Sequence, residues 1–170
     1  METERKERTR TITWADPFAA MRAAPGKTGL QLLKEMQEGR IPPPPIAVLM
    51  GFAAVDFEAG KAVFEGDPAE YLYNPIGVVH GAFAMALLDS ALGCAVHSTL
   101  GVGERYTSLE TKVNFVRPIT LDTGRVRCEG TVLHRGTTVG TAEGKVIAVE
   151  SGKLLAHGTT TCLIIPARSA

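Results

Sequence analysis

Between Gly77 and Leu100 the chain reads GVVHGAFAMALLDSALGCAVHSTL, with Asp89 as its one acidic residue and no base except His80 and His97. A run this apolar has to be enclosed. Its length raises a membrane span, but two histidines, an aspartate and a preference for Gly and Ala over Leu and Ile make it a buried soluble helix. Apolar residues occupy nearly every face, so the helix is predicted to be a central element wrapped by another layer. Asp89 is then predicted to sit against hydrocarbon, where burial disfavours its charge unless donors or a substrate hold it. That makes it the first candidate for chemistry.

The wrapping is legible on both sides of the helix. Before it, TGLQLLKEMQEGR has Leu30, Leu33 and Met36 near helical spacing, and Gly39 with the run IPPPPI stops that helix and reads as a rigid connector. From Ala47, AVLMGFAAVDFE and KAVFEGD read as a strand pair turning at Ala59 and Gly60. After the helix, YTSLETKVNFVRP alternates, with Leu109, Thr111, Val113 and Phe115 on one face and Ser108, Glu110, Lys112 and Asn114 on the other. Three more strands follow, with turns at Arg135-Gly136 and Ser151-Gly152. Strands joined by short turns imply an antiparallel sheet, and one long apolar helix needs such a sheet curled round it. The expected class is α+β.

At 170 residues and 45% apolar the chain has room for one core. The expected division is an N-terminal tail, short helix and Pro-rich connector over 1–45, then one domain over 46–166. METERKERTR lacks the apolar core of a secretory signal and reads as a solvated tail. Eighteen basic residues balance eighteen acidic ones, so no bulk field collects nucleic acid or an anionic membrane. Small molecules and other copies of the chain are the expected partners. Cys94, Cys128 and Cys162 are odd in number and widely spaced, which fits reduced thiols in a cytoplasm. The four histidines form no zinc motif, so no metal is expected. There is no nucleophile elbow, Walker A loop or dinucleotide fingerprint.

The order of elements, the spacing Asn74-x5-His80-Gly81-Ala82-x6-Asp89 and the strand TSLETKVNFVRP together resemble the hotdog-fold acyl-CoA thioesterases of the phenylacetate-degradation type. The resemblance runs from about Pro42 to Ile165. It implies a curved antiparallel sheet round one helix, hydrolysis of an acyl-CoA with an aromatic or medium-chain acyl group, and a homo-oligomer, a dimer of dimers. CoA enters as part of the substrate, so no separate cofactor is implied. One departure is visible: the family usually reads His-Gly-Gly, and Ala82 stands at the third position, which bears on acyl preference.

Helix geometry reaches a similar place. The Gly81 amide, at a helix start, is unpaired, carries partial positive charge and is open to close approach by a carbonyl oxygen. Asp89 lies eight residues on, about 12 Å along a helix, whereas an attacking group and an oxyanion donor must each come within about 3 Å of one carbonyl. Two antiparallel copies of the helix in a two-fold dimer would bring Asp89 of one chain to the helix start of the other. Carried over from the family, Asn74, His80 and Gly81 come from one subunit and Asp89 and Ser108 from its partner. Asp89 would be the nucleophile or the base that activates water, and Ser108 would orient that water or the carboxylate.

Several assignments stay open at this stage. His80 is either an acid or base or a residue that fixes the helix start, and Asn74 either caps a turn or joins the site. His134 and Arg135 fall where the family tends to meet the nucleotide of CoA, so Arg135, and less so Arg117, are candidates for its phosphates; a solvated turn is the alternative for each. The rival functions are a hydratase or dehydratase on the same fold, with His80 and Asp89 as a proton-transfer pair, and a non-catalytic acyl-CoA-binding module.

Overall fold

The computed structural model of the chain describes residues 7–167. Three short helices come first, α1 (Ala19–Ala23), α2 (Gly29–Gln37) and α3 (Pro45–Met50). The hairpin β1 (Phe52–Glu58) and β2 (Lys61–Gly66) leads through a 3₁₀ turn at Glu70–Leu72 to the long helix α4 (Gly81–His97). Strands β3 (Arg105–Phe115), β4 (Val126–Arg135), β5 (Val139–Ala148) and β6 (Leu154–Ile165) follow. All six strands form one antiparallel sheet in the order β1-β2-β4-β5-β6-β3, and α4 touches every one of them. This is the α+β hotdog architecture that the sequence led us to expect.

α4 seats deeply because both surfaces are prepared for it. Phe83, Leu87, Leu88, Leu92 and Val96 are fully buried, and Ala84, Ala91 and Ala95 between them let the backbone approach the sheet. Across the sheet Gly130 pairs with Gly144 and Gly144 with Gly158, leaving a track without side chains. A Cβ on Gly130 would come within 2.5 Å of the Ala91 carbonyl oxygen, so the helix rests where only glycine fits.

The expected strand pair begins later than Ala47. Residues 45–50 form α3 because Pro45 occupies its first turn, where a missing N–H costs nothing, and Gly51 ends it at φ +76°. The four strands after α4 are not neighbours in chain order, since β3 pairs with β6 and not with β4. α4 carries the chain across the sheet, so β3 becomes the edge.

Within β3 the simple alternation fails. The register slips between Ser108, opposite Cys162, and Glu110, opposite Thr161, so the extra residue, Leu109, forms a bulge and is 61% exposed. Ser108 pairs with the buried Cys162, and past the bulge Thr111 pairs with the buried Thr160. Ser108 and Thr111 therefore share the helix side, contrary to the expectation that grouped Ser108 with Glu110.

The N-terminal arm is not wholly a solvated tail. Residues 1–6 lie outside the described part, but Arg8 pairs with Glu70 at 2.7 Å. Arg10 donates to the carbonyls of Val48 and Leu49 and lies 3.8 Å from the Tyr71 ring centroid. The arm is thereby fastened to the end of α3 and to the 3₁₀ turn that leads into α4.

Candidate active site

The loop before α4 is built from its own polar groups. The Asn74 side-chain oxygen accepts from the amides of Ile76 and Val78, at 3.1 and 3.3 Å, closing a turn around Gly77, whose φ is +81°. The Val79 amide donates to the Ile119 carbonyl and the His80 amide to the Leu72 carbonyl, which fixes where the helix begins. His80 is the N-cap, with its Nδ1 accepting from the Ala82 amide at 3.0 Å. With the Phe83 amide donating to the His80 carbonyl, the Gly81 N–H is left without an acceptor among the described residues. It opens a helix of 17 residues whose dipole adds to its pull on an oxygen lone pair.

A cavity of about 570 Å³ lies beside that helix start, and Asn74, His80, Gly81 and Ala82 all line it. Its wall is otherwise apolar, chiefly Ile76, Val78, Met85, Phe115 and Ile119. Arg117 also lines it, donating to the Leu154 carbonyl at 2.7 Å. The structure thus gathers Asn74, His80, Gly81 and Arg117 into one place.

Asp89 and Ser108 are not part of that lining. Asp89 is also not enclosed in hydrocarbon, as its apolar neighbours in sequence had suggested. It lies with Ala82 and Met85 on a stripe of α4 that the sheet leaves exposed, because six strands cover only one side of the helix. The Thr111 hydroxyl reaches it, with Oγ1 3.4 Å from Asp89 Oδ1. Thr111 in turn meets Thr160 Oγ1 at 3.2 Å. Ser108 instead flanks the Cys162 thiol. Thr111 keeps the face of Val113 and Phe115, as the alternation had it, and the bulge at Leu109 brings Ser108 to that side; no local pattern announces the approach of Thr111 to Asp89.

Burial pushes the Cys94 thiol up to about 12, with the Asp89 charge adding to the shift. Burial likewise raises the Tyr106 phenol, with the thiols of Cys94 and Cys162 and then Asp89 as smaller causes. His97 closes the far end of α4, its ring 5.4 Å from that of Tyr106, and burial lowers its affinity for a proton.

Arg135 does not join the cavity. Its guanidinium pairs with Glu104 at 2.7 Å and donates to the Gly136 carbonyl, beyond the C-terminal end of α4. Glu104 accepts also from the Gly101 amide, and these two contacts, the amide first, hold its carboxyl below its ordinary value.

Residues 76–155 match the model of the thioesterase superfamily. A conserved protein of Pseudomonas aeruginosa shares 32% identity and a TM-score of 0.65, over 71% of this chain and 93% of that one. A candidate thioesterase of Ralstonia eutropha related to phenylacetic acid degradation shares 28% identity and a TM-score of 0.68, over 76% of this chain and 97% of that one. A curated candidate esterase of Saccharolobus solfataricus is 33% identical over 85 residues, 50% of this chain. The match spans 59% of the length of that relative.

Proposed function

Because the chain belongs to the thioesterase superfamily, we propose that it hydrolyses an acyl-CoA with an aromatic or medium-chain acyl group to CoA and the free acid. The acyl group enters the apolar cavity beside α4, which falls within the usual size range of small-ligand pockets. Its thioester oxygen accepts from the Gly81 amide, which stabilises the charge that develops on that oxygen. Asp89 of a second copy takes a proton from water. The hydroxide adds to the carbonyl carbon, the tetrahedral oxyanion collapses with cleavage of the C–S bond, and the departing thiolate recovers the proton.

The observation that carries this reading is the division of the site. Asn74, His80 and the free Gly81 amide share one cavity, while Asp89 lies two turns along an unbroken helix on its open face. Neither half is complete alone, and two antiparallel copies of α4 supply both. His80 is assigned a positioning role, because its Nδ1 is occupied in capping the helix. Arg117, which lines the cavity, is the better placed of the two arginines for a CoA phosphate, since Arg135 already has Glu104.

Replacing Asp89 by Asn preserves shape and removes the base. We expect thiol release from phenylacetyl-CoA or hexanoyl-CoA to fall by at least about 100-fold, the scale of a positioned general base, with the assembly unchanged by gel filtration. Parental turnover in that variant would sink the assignment. Crotonyl-CoA separates the hydratase reading, which predicts loss of enoyl absorbance without free thiol. Tight binding of acyl-CoA with no thiol release would favour the binding module.

A further inference from the structure

The hydroxyls behind Asp89 form an ordered series. Thr111 Oγ1 stands 3.4 Å from Asp89 Oδ1 and 3.2 Å from Thr160 Oγ1, and Thr160 Oγ1 is 2.7 Å from the Glu110 carbonyl oxygen. Each hydroxyl has one proton to donate and lone pairs to accept with. A carbonyl oxygen only accepts, so the shortest contact commits the Thr160 proton to Glu110. Thr160 is 2% exposed, and water does not compete for that proton. Thr160 therefore always offers Thr111 a lone pair.

The Thr111 proton then has two destinations. While Asp89 is a carboxylate it also only accepts, and the Thr111 proton points to it. When Asp89 has taken a proton from water, Thr111 accepts a hydrogen bond from the acid and turns its own proton to Thr160. A threonine backed by a fixed lone pair can thus follow the aspartate through both states without leaving either partner unsatisfied. A Val at 111 would match the shape and do neither.

We propose that Thr111, backed by Thr160, is a positioning residue that holds the Asp89 carboxyl in its working rotamer in both protonation states. The proposal rests on the thioesterase reading, in which Asp89 accepts a proton from water and returns it to the thiolate. The regular pairing of Thr111 with Thr160, on the α4 side of the bulge at Leu109, sets both hydroxyls on one face of the sheet. The titratable groups facing Asp89 are Cys94 on α4, Tyr106 on β3 and Cys162 on β6, and each is raised, chiefly by burial. All three are held uncharged near neutrality, so none of them sets a second charge beside Asp89 there.

The test is kcat and KM for phenylacetyl-CoA and hexanoyl-CoA across pH, in the parental protein and in Thr111→Val, Thr111→Ser and Asp89→Asn. Removing the donor disfavours the carboxylate, so Thr111→Val is expected to move the acid limb of kcat/KM up by about 0.5 to 1 pH unit and to lower kcat about three- to tenfold with KM held within about twofold. Thr111→Ser keeps the hydroxyl and restores both. A folded Thr111→Val protein with parental kcat and an unmoved acid limb, beside an inactive Asp89→Asn, overturns this inference alone. Parental activity in Asp89→Asn overturns the reading of the reaction and this inference with it.

Discussion

A Cβ on Gly81 would lie 2.9 Å from Cζ and 3.1 Å from Cε1 of Phe115, so glycine here lets that ring close over the start of α4. The ring is 57% exposed and has room to yield, which separates the two effects of adding a methyl. Gly81→Ala is expected to fold, because the clash falls on the far end of a half-free side chain. It is expected to lower kcat/KM about 10-fold or more by shifting the amide proposed to face the thioester oxygen, an overpacking cost on the order of 1–3 kcal/mol. Phe115→Leu in the same chain should recover part of that loss. Steady-state kinetics of the single and double variants check it: equal loss with and without the Phe115 change would place the harm in the glycine backbone. That Gly81, His80 and Asn74 lie together was legible in sequence, because one loop and one helix start hold all three. Thr111 was not, since its meaning depends on a pairing with Thr160 that is 49 residues away.

Elements were legible where local chemistry fixes them. Gly60 and Gly152, both at positive φ, mark turns that the sequence places correctly, and α4 begins at the predicted His80-Gly81 junction. α3 was misread because the apolar run IAVLM suits a strand or a helix equally, and Pro45 with Gly51 decides between them. The pairing of β3 with β6 is invisible locally, since it is set by how α4 crosses the sheet. The turn between α4 and β3 is held to the β4 end by Glu104 and Arg135, each about a quarter exposed, with 25% and 24% of the side chain accessible. Glu104→Gln keeps the shape and leaves a half-buried guanidinium without a counter-charge, an expected loss on the order of 1 kcal/mol, or about 2–4 °C in Tm. The folded state holds the Glu104 carboxyl below its ordinary 4.5, so its contribution is complete above that value and is lost as pH falls through the lowered one. Thermal melts of the two proteins should therefore differ at neutral pH and converge on acidification. A gap that persists or widens at low pH would assign the loss to packing.

At the scale of the molecule, the exposed face of α4 is the property that the sequence described correctly in composition and wrongly in consequence. An apolar helix was expected to be wrapped on all sides, yet one sheet encloses one side, and Ala82, Met85 and Asp89 are left open beside Phe115 and Val116. Met85 is 47% exposed in a helix whose opposite face is fully buried, and such a surface asks for a partner of its own kind. In the proposed dimer a second copy would meet that need and would also bring an aspartate to a cavity that has none in its lining. Complementation follows from this arithmetic. In a heterodimer of an Asp89→Asn chain with a His80→Ala chain, one site combines an intact helix start with an intact aspartate, and the other site has neither. Random mixing makes about half of the dimers mixed, each with one of its two sites whole, so about a quarter of parental activity should return. Thiol release after unfolding and refolding the two inactive proteins together measures it, with differently tagged chains to isolate the mixed dimer. An isolated mixed dimer that stays inactive would mean that Asp89 serves the chain it belongs to, and the 12 Å or so along α4 would then have to be closed by a movement of the helix itself.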